Sequence, residues 1–278
     1  MALALAMVDE TSSSPVPFFI LVQLMLVHQC LSITLFQSPD SRTRGDDTGR
    51  YSRLELAAAW RVENHDLYCA YKVAQRKVLS FAAKVAVKGD TKVRIRNELY
   101  GSASKLPGDL EKGCNEVRLL HGTKPNNVWQ IVQNGMNERF AGSSAGVRFG
   151  AGSYFSDDAG KADQYVTGDK MYNAAKVLHQ RLYSDSSGHP GNIFYVFVVR
   201  VTLGHSVKHA EKGDQCFNPI SKIGNTWREL ANIPNHDRPY NSLFAAAGAG
   251  NTRYRYNEYV IFHSDQTYPE YLLAYHRR

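Results

Sequence analysis

Three short stretches hold residue types that could do chemistry. The first is "RLLHGT" (Arg118 to Thr123), where His121 and Gly122 close an apolar run. The second is "RFGAGSYFSDDAGKADQY" (Arg148 to Tyr165), a glycine-rich loop running into a helix, with Tyr154 and Tyr165 eleven residues apart. The third is "YNEYVIF" (Tyr256 to Phe262), which sets Glu258 between tyrosines at the head of an apolar strand. Taken singly, each has a bland reading. The histidine can end a strand in a turn. The loop can cradle a phosphate, but it lacks the G-x-G-x-x-G spacing and the strand–loop–helix setting of a dinucleotide fold. A glutamate in a strand is ordinarily on a solvated face, and Asp157 and Asp158 read as a helix N-cap. Lys161 reads as solvated, with contact to the active site as the alternative.

The elements that must position these residues can be read from periodicity. Leu56, Trp60, Leu67, Tyr71 and Val78 suggest a helical apolar stripe from Leu54, broken near Asn64. "NVWQIVQN" (Asn127 to Asn134) predicts a second helix, with Pro125 near its start and Gly135 at its stop. "IFYVFVVRVTL" (Ile193 to Leu203), "RYRYNEYVIF" (Arg253 to Phe262) and "EYLLAYH" (Glu270 to His276) predict strands. Thr167 to Asn192 and Val207 to Ala249 read as long irregular stretches. The expected class is α+β, helices first and an antiparallel-rich sheet later.

Composition supports one large folded domain plus a tail. The 278 residues are 43% hydrophobic and 11% aromatic, with a net charge of +7. The basic residues are scattered, which suits an anionic small ligand and points to no specific nucleic-acid reader. Cys30, Cys69, Cys114 and Cys216 form no C-x-x-C pair, so neither a zinc ribbon nor a disulfide framework is expected. Residues 1–36 form an apolar N-terminal segment. Its stretch Pro17 to Phe36 is long enough for a membrane anchor, but no basic residue precedes it and no convincing cleavage site follows. A peripheral helix or a misassigned start are the alternatives. Residues 37–53 read as a polar linker and 54–278 as the main folded domain.

In this order and context, His121, Tyr154 and Glu258 resemble the His-Tyr-Glu triad of the poly(ADP-ribose) polymerase catalytic domain. "IVQNGMNERFAG", "FYVFVVRVTLG" and "YNEYVIFHSDQTYPEYLLAY" follow the order of that family, and "GMNERFA" and "QTYPEYLLAY" look most like its tankyrase branch. The resemblance implies an ADP-ribosyltransferase fold. It also implies an enzyme that cleaves NAD+ between nicotinamide and ribose and passes ADP-ribose to protein acceptors, itself included. In that reading His121 bonds ribose hydroxyls, Gly122 offers its backbone to the nicotinamide amide, and Thr123 adds a hydroxyl. Tyr165 stacks on the nicotinamide while Tyr154 walls the pocket. Gly152 lines the cofactor-binding loop and Arg139 lies toward the adenosine and phosphates. Glu258 bonds the ribose 2′-OH and favours the oxocarbenium charge.

Two departures matter. Ala162 stands where the family usually has a serine that bonds the nicotinamide amide. The Cys/His zinc cluster of tankyrase-like members is not matched, since Thr167 to Asn192 holds His179 and His189 but no cysteine, so no metal is expected. Glu258 is what chain elongation needs, which places poly-transfer ahead of mono-transfer. A non-catalytic NAD or ADP-ribose binding module and a tethered scaffold are the rival readings. The expected location is intracellular, nucleus or cytoplasm, with membrane association through residues 17–36 as the alternative.

Overall fold

The structure is a computed structural model, and it describes residues 19–23, 51, 53–85, 106–137, 148–183, 185–248 and 255–278. Arg139 therefore lies outside the described residues, as does most of the apolar N-terminal segment. Within that segment Phe19–Gln23 forms a strand, β1, antiparallel to the next strand, β2 (Leu54–Asn64). Among the described residues no helix is long and apolar enough to cross a membrane.

The helix expected from Leu54 begins only at His65. Residues Leu54–Asn64 are strand β2, followed by helix α1 (His65–Ala82). The error has a simple origin. Leu56 and Trp60 are four residues apart, a spacing that suits both a 3.6-residue and a two-residue period. The strand period was present: Leu54, Leu56, Ala58, Trp60, Val62 and Asn64 are all buried, while Glu55 and Glu63 are exposed. A register shift between Leu56 and Ala58 buries Ala59 as well and blurs the alternation. The break at Asn64 was correctly placed. Asn64 is the N-cap of α1: its Oδ1 accepts the Leu67 N–H at 3.1 Å, and its Nδ2 donates to the carbonyls of Val132 and Gln133. Those carbonyls belong to α2 (Pro125–Asn134), which has Pro125 in its first turn and ends at Gly135 with φ +74°.

Two sheets follow. In the first, β2 pairs with β9 (Thr267–Arg277), β9 with β5 (Phe194–Thr202), and β5 with β3 (Glu116–Thr123), giving the order β1-β2-β9-β5-β3 with every pair antiparallel. Strand β5 is buried along its whole length, which is why its sequence is apolar from Phe194 to Val199 and its Arg200 is ion-paired. The second sheet has the order β4-β8-β7-β6, from β4 (Ser153–Phe155), β8 (Glu258–Ile261), β7 (Ser242–Ala245) and β6 (Ser206–Lys208). Strands β6 and β7 thus fall inside the stretch expected to be irregular, too short to show a period. The fold is α+β and antiparallel-rich, as expected.

The two sheets are sewn together beside His121. Leu120 and Ser156 exchange backbone hydrogen bonds of 2.8 and 3.0 Å. A buried set of charges fixes β3 from its other side. Arg118 pairs with Glu270 at 2.7 Å, and Arg200 bridges Glu270 and Glu116 at 2.9 and 3.0 Å. Tyr71 of α1 donates to Glu116 at 2.7 Å, so the helix is keyed into the same network. Burial alone would raise the Glu116 carboxyl, yet the Glu111 N–H, Tyr71 and Arg200 hold it below the usual carboxylate range.

Candidate active site

The site forms where the edge strand β3 meets the second sheet. His121 is the half-buried residue of an otherwise buried strand. Its Nδ1 lies 2.9 Å from the Tyr154 carbonyl. A carbonyl can only accept, so the ring proton sits on Nδ1 and Nε2 keeps its lone pair. Burial lowers the pKa of this imidazole, and the Tyr154 carbonyl opposes that only in part, so the net direction is down. The consequence for pH is direct. The neutral ring persists below the ordinary value of 6.5, so kcat/KM for NAD+ should stay flat through neutrality and fall only at more acid pH, as Nε2 gains a proton. A pH profile whose acid limb has its midpoint above 6.5 would contradict this role.

Tyr154 makes two structural contacts at the site. Its hydroxyl accepts the Phe149 N–H and donates to the Gly150 carbonyl, both at 2.8 Å. That ties down the glycine-rich loop, where Gly150 has φ +89°. Its carbonyl, not its ring, orients His121. Burial raises the Tyr154 phenol, and after it the nearby charges of Glu258 and Tyr165. Gly152 likewise has a packing reason. A Cβ there would lie 2.6 Å from Val260 Cγ1 and 2.7 Å from the Ile261 carbonyl, so its absence lets β4 close on β8.

Glu258 opens β8, one residue beyond the Phe155–Tyr259 pair. Its Oε1 is 3.1 Å from Lys161 Nζ, and both side chains are largely buried. Lys161 was expected to be solvated and is not. It sits on α3 (Ala159–Ala162), and its ammonium lies 5.1 Å from the centroid of the Tyr165 ring. Burial would lower this ammonium's pKa, but the Glu258 carboxylate and Tyr165 outweigh it and hold the pKa above the ordinary value. Lys161 is thus a site residue, the reading the sequence offered only as the alternative to a solvated side chain. Its only signal was a position four residues before Tyr165.

A group that sequence reasoning missed holds Glu258 in place. Asn257 donates from Nδ2 to Asp157 at 2.9 Å, accepts the Ala247 N–H at 2.9 Å, and receives the Ser156 hydroxyl on its carbonyl at 2.8 Å. Asp157 is buried, while its neighbour Asp158 caps α3 by accepting the Gly160 N–H at 2.8 Å. The N-cap reading therefore holds for Asp158. Asp157 instead clamps the residue before Glu258.

Gly122 and Ala162 face one another. A Cβ on Gly122 would stand 1.9 Å from the Ala162 carbonyl oxygen. Tyr165 ends the 3-10 turn Asp163–Tyr165 that follows Ala162, and its ring is 44% exposed, leaving an aromatic face open beside Glu258 and Lys161. Thr123 is buried on β3, opposite Tyr195 in register.

Asp169, His179 and His189 are all buried, with ligating atoms within 4.8 Å of one another. His179 lies on α4 (Val177–Leu182), inside a stretch expected to be irregular. Their ring protons decide what the cluster is. His179 Nδ1 accepts the Asn173 N–H at 2.7 Å, and His189 Nδ1 accepts the Gly191 N–H at 3.1 Å. Both rings therefore carry their proton on Nε2, and that of His179 is donated to Asp169 at 2.7 Å. A metal-bound histidine does the reverse, donating from the nitrogen it does not use for the metal. Tyr195 also donates to Asp169 at 3.1 Å, whereas His189 Nε2, 3.8 Å from Asp169, is buried without a hydrogen-bond partner.

Where β3, β4, β8 and α3 meet, the α+β fold gathers a histidine acceptor, an exposed tyrosine and a carboxylate paired with a lysine, groups suited to transfer chemistry on a small molecule. The sequence matches the poly(ADP-ribose) polymerase catalytic domain across residues 41–277, and the chain belongs to that family. Over 189 residues, 66% of the chain, it is 28% identical to human protein mono-ADP-ribosyltransferase PARP14. The matched stretch is only 8% of that relative's length. The relative does not support a tankyrase-branch placement.

Proposed function

We propose that the chain is an NAD+-dependent ADP-ribosyltransferase that acts on protein acceptors, itself included. The observation that carries this reading is the pairing of Glu258 with Lys161 under the open face of Tyr165, next to His121 with its acceptor nitrogen fixed. These groups suit the two ends of the bond to be broken. Tyr165 offers a flat face for the cationic nicotinamide ring, a contact worth ~0.5–2 kcal/mol. His121 Nε2 accepts from a ribose hydroxyl. As the nicotinamide leaves with the bonding electron pair, the ribose becomes oxocarbenium-like, and the Glu258 carboxylate opposes that positive charge. The acceptor oxygen then forms the new bond and gives up its proton.

Glu258 also supports elongation, because a ribose hydroxyl of a bound ADP-ribose can be activated by the same carboxylate. The second reading, transfer of a single unit, rests on the activity that the human relative's name states. The proposed reaction runs through no metal. Incubating the full chain with labelled NAD+ tests the reading. Label on protein is expected, and its pattern separates a ladder from a single unit. NAD+ bound without transfer would favour a binding module instead.

The family's serine position gives a further expectation. Ala162 is buried and cannot donate to the nicotinamide amide. A neutral hydrogen bond contributes about 0.5–1.5 kcal/mol, so Ala162→Ser should tighten NAD+ binding by roughly two- to tenfold. Calorimetric titration checks it; unchanged affinity would mean the amide is held by other groups.

A further inference from the structure

We infer that Asp163 is a positioning residue for the nicotinamide end of the site, holding the Tyr165 wall from behind through a clamp built of both ends of the described domain. The inference rests on the NAD+ reading above. Asp163 is buried and begins the turn that ends in Tyr165. Its Oδ1 accepts the Tyr275 hydroxyl at 2.7 Å and the Arg277 Nε–H at 3.1 Å, and its Oδ2 accepts the Tyr51 hydroxyl. Arg277 donates a second time, from Nη2 to the Asp163 carbonyl at 3.1 Å.

The donors come from far along the chain. Tyr51 precedes β2, while Tyr275 and Arg277 share one face near the end of β9. Arg53 and Arg278 exchange backbone hydrogen bonds of 2.9 Å beside them. The Arg277 guanidinium lies 4.0 Å from the Phe194 ring centroid and 5.3 Å from that of Tyr51, so the cation cannot swing freely. The carboxylate thus fastens one turn to the last strand and to the entry of β2.

The turn is where the substrate-facing groups are concentrated. Lys161 lies two residues before Asp163 and pairs with Glu258. The Ala162 carbonyl, one residue before, lies against Gly122. Tyr165 follows two residues later with its ring exposed. A carboxylate serving stability alone could sit anywhere in the core. This one fixes the only segment, among the described residues, that touches Glu258, Gly122 and the open aromatic face together. Its three donors, Tyr51, Tyr275 and Arg277, engage both carboxylate oxygens.

The two halves of NAD+ make the test selective. Benzamide probes the nicotinamide end and ADP-ribose probes the remainder, each titrated calorimetrically against the full chain. In Asp163→Ala the benzamide dissociation constant should rise about tenfold or more, while that of ADP-ribose stays within about twofold. The KM for NAD+ should rise more than kcat falls. Tyr275→Phe, which removes one donor and leaves the fold's core volume intact, should give a smaller shift in the same direction, roughly two- to tenfold. Asp163→Asn keeps an acceptor oxygen and should recover part of the Asp163→Ala loss. Equal weakening of both probes, or no weakening in folded variants, overturns the positioning role. A wild-type chain that binds neither probe overturns the NAD+ reading and this inference with it.

Discussion

Glu258→Gln should lower kcat for ADP-ribose transfer by about 10²–10⁴-fold while leaving the KM for NAD+ within a few-fold. Glutamine keeps the shape and an acceptor oxygen, so ground-state contacts survive. What goes is the negative charge next to the carbon that becomes positive. A unit charge about 4 Å away, at an effective dielectric of about 20, is worth ~4 kcal/mol, which corresponds to about three powers of ten in rate. The loss is compounded by Lys161. In the native site its ammonium is paired with Glu258 at 3.1 Å. Glutamine removes the carboxylate that holds the Lys161 pKa up, so the positive charge the buried amine retains faces the oxocarbenium with nothing between to cancel it. The double variant Glu258→Gln with Lys161→Met should therefore be faster than Glu258→Gln alone, by about tenfold, though slower than wild type. Single-turnover assays with labelled NAD+ separate these cases. A ladder of product should collapse to one unit or vanish in Glu258→Gln. Full-length polymer from that variant would remove Glu258 from elongation, and a double variant slower than the single one would mean that Lys161 helps the transition state by itself.

What could be read from the sequence depended on how local the physics was. Strands β5 and β9 announce themselves because buried strands are rich in apolar, β-branched and aromatic residues, as in Phe194–Val199 and Tyr271–Tyr275. Pro125 and Gly135 bracket α2 through backbone preferences that act within a few residues. His121, Gly122, Tyr154, Tyr165 and Glu258 were legible as a set because their order matches a family, and the fold does bring Tyr154 and Glu258 onto paired strands. The failures were contacts between distant residues. Nothing local tells Lys161 that it will be buried against Glu258, since the pairing depends on α3 packing beside β8. Asp157 and Asp158 look alike in sequence, and only the fold gives one to a helix cap and the other to Asn257, a hundred residues on. Asp169, His179 and His189 are separated by ten-residue gaps that carry no metal spacing, and they converge because β5 and the turns before it bring them together.

The same lesson changes the reason for Gly122. The role the family resemblance implies for it is to let the nicotinamide amide reach the backbone. The structure imposes a stricter demand. An alanine Cβ would be 1.9 Å from the Ala162 carbonyl oxygen and 2.7 Å from its carbon. Both are backbone atoms, so no rotamer change relieves the clash. The segment that must move is anchored at one end by the Ala162 N–H on the Asp158 carbonyl. Gly122 needs no left-handed conformation, so the cost of Gly122→Ala is steric alone. Overpacking of this kind costs about 1–3 kcal/mol, or roughly 2–10 °C in Tm for a chain of this size. The catalytic cost should be larger. The displaced turn carries Lys161 and Tyr165, and a shift of about 1 Å in positioned groups lowers rates by about 10²-fold. Gly122→Ala should therefore lose two orders of magnitude or more in kcat/KM for NAD+ while remaining folded. Gly152→Ala gives the contrast. Its Cβ meets Val260 and Ile261 on β8, so it should lower Tm by a similar amount with a smaller loss of kcat/KM. If the two variants lose activity in proportion to Tm alone, the contact between Gly122 and Ala162 is packing and no more.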